Sequence, residues 1–274
     1  MSRRWPIRVP LLAMCLTVAT AAACAPVPGA GPVPSRGVPG FDTRDYPGDD
    51  AMRRWLDDSP YRWVGYYLPA PCYTGTTWSG RRDALRSMGW GFAVLYVGEQ
   101  DWTAMRAAPG DTVSIAEPGA RCASINLTAE QGTAHAAEAE AAAAADGFPA
   151  GTVIFLDVER VERVRPELAA YVRAWTAAML DGGRYLPGLY AHDLNAAELF
   201  TIVSEEYGRR QRTERPLLWV ARQDGFDISR APGDSGYPVA AIWQGRFNVR
   251  EAWGGITLNV DANVADFGDP SRGR

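Results

Sequence analysis

Eight short apolar runs, the first five followed by helical or loop-rich crossovers, constrain this chain more than any other feature. They fall at Val38–Asp42, Trp63–Leu68, Phe92–Val97, Thr152–Asp157, Leu186–Ala191, Leu217–Ala221, Val239–Trp243 and Ile256–Val260. Brief runs rich in β-branched and aromatic residues, bounded by Gly, Pro or Asp, read as strands. Helices are expected from Asp49 or Asp50 to Leu56, from Ser79 to Met88, and near Leu194–Tyr207. Thr128-Ala-Glu-Gln131 reads as a capping box that opens an Ala-rich helix to Asp146. Pro166 suits the first turn of another, whose Leu168, Tyr171, Val172, Trp175 and Met179 form one apolar stripe. A long Pro- and Gly-containing stretch up to Leu127 reads as an elaborated loop. Strand–helix alternation predicts a parallel sheet, and eight strands predict a closed α/β barrel of the TIM type. A doubly wound open sheet is the alternative, but no Gly-rich phosphate fingerprint follows the first strand. The last three strands leave little room for helices between them.

Acids sit where these strands end. The run Thr152-Val-Ile-Phe-Leu-Asp157-Val-Glu159 reads as a strand buried on both faces that closes on two carboxylates. Side chains alternate along a strand, so Asp157 and Glu159 point the same way, with backbone origins about 6.5 Å apart. Mutual repulsion and desolvation predict that one of them holds its proton near neutral pH while the other stays charged. A capping Asp beside an exposed Glu is the plainer alternative for this pair taken alone. Asp42 ends the first strand and Asp261 follows the eighth. In a closed barrel these acids would gather at the C-terminal rim, where barrel enzymes build their sites. Tyr67, Tyr96, Tyr190, Trp219 and Trp243 also lie at strand ends and are candidate platforms for sugar rings, although each could equally be packing. Gln244 is placed to hydrogen-bond hydroxyl or N-acetyl groups.

Composition narrows the chemistry. All 28 basic residues are Arg, against 32 acidic ones. Arg3, Arg4 and Arg8, a short apolar core from Val9 to Thr20 and Ala21-Ala22-Ala23 read as an export signal over residues 1–23 with twin-arginine character. Its loss would remove three Arg and no acid, leaving 25 basic residues and a formal charge of −7. That balance argues against nucleic-acid binding. Cys24 stands where a lipoprotein would be lipidated, so membrane attachment through Cys24 and plain secretion are both expected fates. Residues 24–37, rich in Pro and Gly, read as a tether, and residues 38–269 as the folded domain. Cys72 and Cys122 are then an even pair in an oxidising compartment and are expected to bridge, closing a loop worth about 4 kcal/mol.

Two His and no free Cys pair argue against a zinc site, and no G-x-S-x-G elbow is present. His135 reads as a surface residue of the Ala-rich helix, and His192 as a neighbour of the rim. A hard cation held by the acids is an alternative, but no cofactor is expected.

Gly40-Phe-Asp-Thr43, Val153–Glu159, Gly188-Leu-Tyr-Ala191, Leu218-Trp-Val-Ala221, Trp243-Gln244 and Asp261-Ala-Asn263 together resemble the glycoside-hydrolase-like barrel domain of exported actinobacterial proteins. That domain is similar in turn to the family-25 lysozymes. The resemblance covers about residues 38–266 and implies five βα units followed by three strands. It also implies that Glu159 matches the lysozymes' proton donor, Asp157 the acid beside it, and Asp42 and Asp261 two further acids of the cleft. On this basis Glu159 is the carboxyl expected to hold the proton. Gly245 departs from the pattern, since an aromatic usually follows Trp-Gln there. Glu99–Asn126 has no clear lysozyme counterpart. The expected function is hydrolysis of peptidoglycan or another envelope polysaccharide by a monomer; the alternative is a non-catalytic glycan-binding envelope protein on the same fold.

Overall fold

The computed structural model describes residues 36–104 and 122–272. The export signal, most of the tether and Cys24 lie outside the described residues. Eight strands close into a barrel in sequence order: β1 (Val38–Asp42), β2 (Trp63–Tyr67), β3 (Gly91–Val97), β4 (Val153–Val158), β5 (Leu186–His192), β6 (Leu218–Ala221), β7 (Ala240–Trp253) and β8 (Ile256–Ala265). Five helices, α1 (Asp49–Asp58), α2 (Arg82–Met88), α3 (Ala129–Ala145), α4 (Pro166–Gly182) and α5 (Asp193–Arg209), each follow one of the first five strands. This is the five-unit TIM-like arrangement that the sequence implies.

Local chemistry sets the helix ends. Thr128 Oγ1 accepts from Gln131 N–H at 3.1 Å and caps α3, an arrangement worth about 1 kcal/mol. Pro166 opens α4, and Gly183 closes it at φ 68°. The stripe Leu168, Tyr171, Val172, Trp175 and Met179 is buried against the barrel and α3. His135, expected at the surface, is instead buried: its Nδ1 bonds Tyr171 Oη at 2.8 Å across the α3–α4 seam. The Ala-rich sequence lets α3 and α4 approach closely, which encloses the imidazole.

One expectation about the sheet needs correcting. The strands are not all parallel: β8 runs antiparallel to both β7 and β1. Apolar periodicity carries no direction, and no helix stands between β7 and β8 to reverse the chain. The two strands form one hairpin, so β8 must run back down the barrel. The hairpin is also longer than the apolar runs suggest. Beyond Gln244, β7 continues to Trp253 through two register shifts and pairs with residues 256–260 outside the barrel, over α1. Trp55 Nε1 donates to the Ile256 carbonyl there, and the Tyr61 hydroxyl to Glu251.

At the lower end, the backbone N–H groups of Phe92 and Val94 precede or begin the β3–β4 pairing. They donate to Asp269 Oδ1 and Ser271 Oγ instead, so the C-terminal turn closes the gap. Among the described residues no helix is long and apolar enough to cross a membrane.

Candidate active site

Strand parity decides which side chains reach the mouth of the barrel. Trp63, Leu95, Phe155, Trp219 and Ile242 fill the inside. Trp63 and Trp219 meet edge to face with centroids 5.8 Å apart, and Phe155 and Tyr190 meet Trp219 the same way at 5.7 and 5.4 Å. Gly40 is required here, because a Cβ would lie within the Trp63 indole. The result is a packed aromatic floor.

Above it, Asp42 is tied to three donors. Tyr67 Oη donates to Oδ1 at 2.7 Å; Gln244 Nε2 and Asn263 Nδ2 donate to Oδ2 at 2.9 and 2.8 Å. Gln244 donates its second proton to Asp261 Oδ2 at 3.2 Å and accepts from Tyr190 Oη at 2.7 Å. Asn263 donates to the Asp261 carbonyl and accepts from Trp219 Nε1 at 3.0 Å. Both amides are thereby held in a single orientation. Asp261 Oδ1 accepts from Asn248 N–H at 2.6 Å.

Asp261 reaches this network by a different route from the one the sequence suggests. It does not follow β8 but lies within it, paired with Asp42, and sits at the mouth because β8 enters the barrel from that end.

Asp157 stands across the mouth, paired with Val97 on one side and Tyr190 on the other. It is 5% exposed, and its Oδ1 has no hydrogen-bond partner. Glu159 lies just past the end of β4, half-buried, with its N–H donating to Gln100 Oε1 at 3.0 Å. The four acids share one space: burial first, then the charges of Glu159, Asp157, Asp42 and Asp261, hold the Tyr190 phenol well above its ordinary pKa.

The carboxyls are not equivalent. Burial, then the charges of Glu159 and Asp42, push Asp157 well above the ordinary carboxylate range. Burial also raises Asp42, but its bonds from Tyr67, Asn263 and Gln244 oppose that shift and favour the anion. Burial and the Asp42 charge push Asp261 up to about 8. The sequence points to Glu159 as the proton holder; the structure puts a strong upward push on Asp157, the more deeply buried member of the pair.

These shifts fix a pH dependence. Burial pushes the Asp261 carboxyl up to about 8 from an ordinary 3.8, so between those values the folded state holds more protons than the unfolded one. Stability contributed by Asp261 is therefore present at low pH and lost as pH rises through that window, and Asp157 and Asp42 act in the same direction. The carboxyls with lowered values, such as Asp101 beside Arg165 and Asp193 beside His192, do not oppose the trend above pH 5. Thermal melts should give a higher Tm at pH 5 than at pH 8, with the difference narrowed in Asp261→Asn. A higher Tm at pH 8 in both proteins would contradict the assignment.

The expected aromatic platforms separate by parity. Tyr67 and Tyr190 face the acids. Trp219 points inward but is fully buried in the floor. Tyr96 and Trp243 are one residue out of phase and face the outer layer: Tyr96 bonds Glu138 of α3, and Trp243 donates to the Arg222 carbonyl and packs on Phe226. Neither shares the phase of the acids. Gly245 is explained by the same packing, since a Cβ there would overlap the Phe226 ring. Past the register shift, Phe247 packs half-buried against the cluster inside the barrel, next to Asn248, whose N–H meets Asp261. Asn263, Asn248, Phe247 and Gln100 were not assigned roles by the sequence reasoning. Asn263 carried a signal, as it lies two residues from Asp261 on the same strand face.

Cys72 and Cys122 are bonded to each other. Among the described residues, the set of three potential metal-ligating side chains with atoms within 4.8 Å of one another is Cys72, Glu99 and Cys122, and the disulfide takes both sulfurs. A cavity of about 820 Å³ lies at the opposite pole of the barrel, lined by Val153, Leu186, Leu217 and Ala240 among others, well away from the acids.

Residues 53–265 match the family described as Rv2525c-like, glycoside hydrolase-like domain. The chain belongs to that family. The chain shares its barrel with solved structures of low sequence identity. An uncharacterized B. stearothermophilus protein is 20% identical with a TM-score of 0.52, covering 84% of this chain and 96% of that one. The Mycobacterium tuberculosis Tat-secreted protein Rv2525c is 15% identical with a TM-score of 0.52, covering 84% and 95%. The Clostridium perfringens spore cortex lytic enzyme SleM is 13% identical with a TM-score of 0.53, covering 85% and 68%. At these identities the likeness to the solved structures concerns the fold. No curated protein matches the sequence. The Rv2525c-like assignment agrees with the resemblance drawn from the motifs around Asp42, Asp157–Glu159 and Asp261.

Proposed function

We propose that this Rv2525c-like domain is an exported glycoside hydrolase acting on peptidoglycan or another envelope polysaccharide. The observation that carries the reading is the convergence of Asp42, Asp157, Glu159 and Asp261, from three strands, around one aromatic-floored mouth. Acetal cleavage needs a proton at the leaving oxygen and negative charge beside the developing oxocarbenium ion. Glu159, the half-buried member of its pair, would meet the glycosidic oxygen and give the proton. Asp42, held by three donors, suits the role of fixed negative charge. Asp157 shares the pair's proton; once Glu159 has delivered it, Asp157 orients water or stabilises the cation, unless the substrate's own acetamido group is the nucleophile. Tyr67, Tyr190 and Phe247 would contact sugar faces.

The exposures of Asp42 and Asp157, 4% and 5%, favour a second reading, a glycan-binding protein without turnover, because a bound sugar would reach neither acid without displacing its cover. Reducing-end release from purified cell wall decides between them. Soluble reducing ends support hydrolysis; saturable binding without release supports the second reading. Export, with or without lipid on Cys24, is part of the proposal. N-terminal sequencing of a native preparation should not recover Met1, and Cys24→Ser should release a lipidated protein from membranes.

A further inference from the structure

We propose that Gln100 is the positioning residue of the site, fixing Glu159 by completing the sheet one rung beyond where its backbone pairing stops. Backbone pairing between β3 and β4 ends at Val97 and Asp157. The next rung of a parallel ladder needs a donor for the Asp157 carbonyl and an acceptor for the Glu159 N–H, supplied by the N–H and C=O of one residue of the neighbouring strand. The Gln100 side chain supplies both. Its Nε2 donates to the Asp157 carbonyl at 2.9 Å and to the Gly98 carbonyl at 3.1 Å, while its Oε1 accepts from Glu159 N–H at 3.0 Å. The amide takes the place of the N–H and C=O of one strand residue. Period-two alternation is thereby carried one residue past β4, which keeps Glu159 on the face of Asp157.

The residues on either side anchor this amide. Asp101 accepts two bonds from Arg165 at 2.6 and 2.9 Å. Glu99 accepts from Ala123 N–H at 2.9 Å and Asn126 Nδ2 at 3.1 Å. Glu99, Gln100 and Asp101 are all buried, with Gln100 at 0% exposure. Three consecutive buried polar residues after a strand are costly unless each is satisfied, and here each is. A primary amide both donates and accepts here without charge at any pH at which the protein is folded.

The kinetic consequence rests on the glycosidase reading; the geometric one does not. Gln100→Met keeps the volume and removes all three bonds. On soluble peptidoglycan oligomers it should lower kcat about 10²-fold with KM within about threefold, the scale of a misplaced catalytic group. Gln100→Glu should match that loss when its new carboxyl is ionised, because two carbonyls then face a group that cannot donate. It should recover toward wild type as pH falls, since the protonated carboxyl both donates and accepts. A role in folding alone would give both variants the same loss at every pH. Carboxyl ¹³C NMR provides a readout without turnover: Gln100→Met should shift the titrations of Asp157 and Glu159, and by less that of Asp261, on which the Glu159 charge is the last of the causes. Should Gln100→Met fail to fold, Gln100→Glu carries both measurements. If wild type releases no sugar but the NMR shift is present, the glycosidase reading fails and the positioning role stands. Unchanged titrations of Asp157 and Glu159 overturn the positioning role whatever the activity.

Discussion

Glu159→Gln should cost this protein about 10²–10⁴-fold in glycan hydrolysis, the usual contribution of a general acid. The amide keeps the size of the side chain and its backbone bond to Gln100, but it has no proton to give at the glycosidic oxygen. The loss should fall on kcat, because leaving-group protonation belongs to the transition state and not to substrate binding. The variant should also fold well. Removing the Glu159 charge relieves one of the causes that push Asp157 and Asp261 upward, so the pH 8 melting point should rise with the activity gone. Asp157→Asn should be severe as well, through lost charge stabilisation. Steady-state rates and melts on the same preparations check both halves. Wild-type rates in Glu159→Gln would remove Glu159 from the mechanism.

Loss of the Cys72–Cys122 bond should produce the largest change in stability. The two residues are 50 apart in sequence, and closing a loop of that size is worth about 4 kcal/mol on the chain-entropy account. For a domain of this length that corresponds to a fall in Tm of about 8–16 °C. The bond joins the segment after β2, where Cys72 N–H donates to the Val97 carbonyl at 3.3 Å, to the segment whose Ala123 is held by Glu99. Its removal therefore loosens the support of Gln100 as well as lowering stability. Paired Cys72→Ser and Cys122→Ser substitutions, melted beside the oxidised wild type, give the measurement. An unchanged Tm, or two alkylatable thiols in the native protein, would count against the bond's role.

Much of the barrel was legible because its physics is local. Short apolar runs, the cap at Thr128, Pro166 at a helix start and glycines at helix ends are each readable within a few residues. The acids were legible for the same reason, as charge at the end of an apolar run is conspicuous. What escaped was relational. Tyr96 and Trp243 were selected because they lie near strand ends, but facing is set by phase, and each is one residue out of step with the acids. Direction escaped too: the run Ile256–Val260 reads the same up or down the barrel. The outer part of β7, Arg246-Phe-Asn-Val-Arg-Glu-Ala-Trp253, carries a period-two pattern that polar residues obscured. Glu99-Gln-Asp101 looks like solvated loop in sequence, and only the surrounding donors and acceptors identify it as interior.

The reversal of β8 has a consequence for how the domain can be mounted. Val38 pairs with Ala265 and Asp42 with Asp261, so the barrel's entry and exit lie together at one pole and the acids at the other. A bead or a surface joined directly at Val38 therefore meets the closed end, with the mouth turned outboard. Attachment at Val38 leaves the approach of a long polymer unobstructed, whereas a cargo inserted at the Gly254-Gly255 turn of the β7–β8 hairpin would ride on the flank of the barrel.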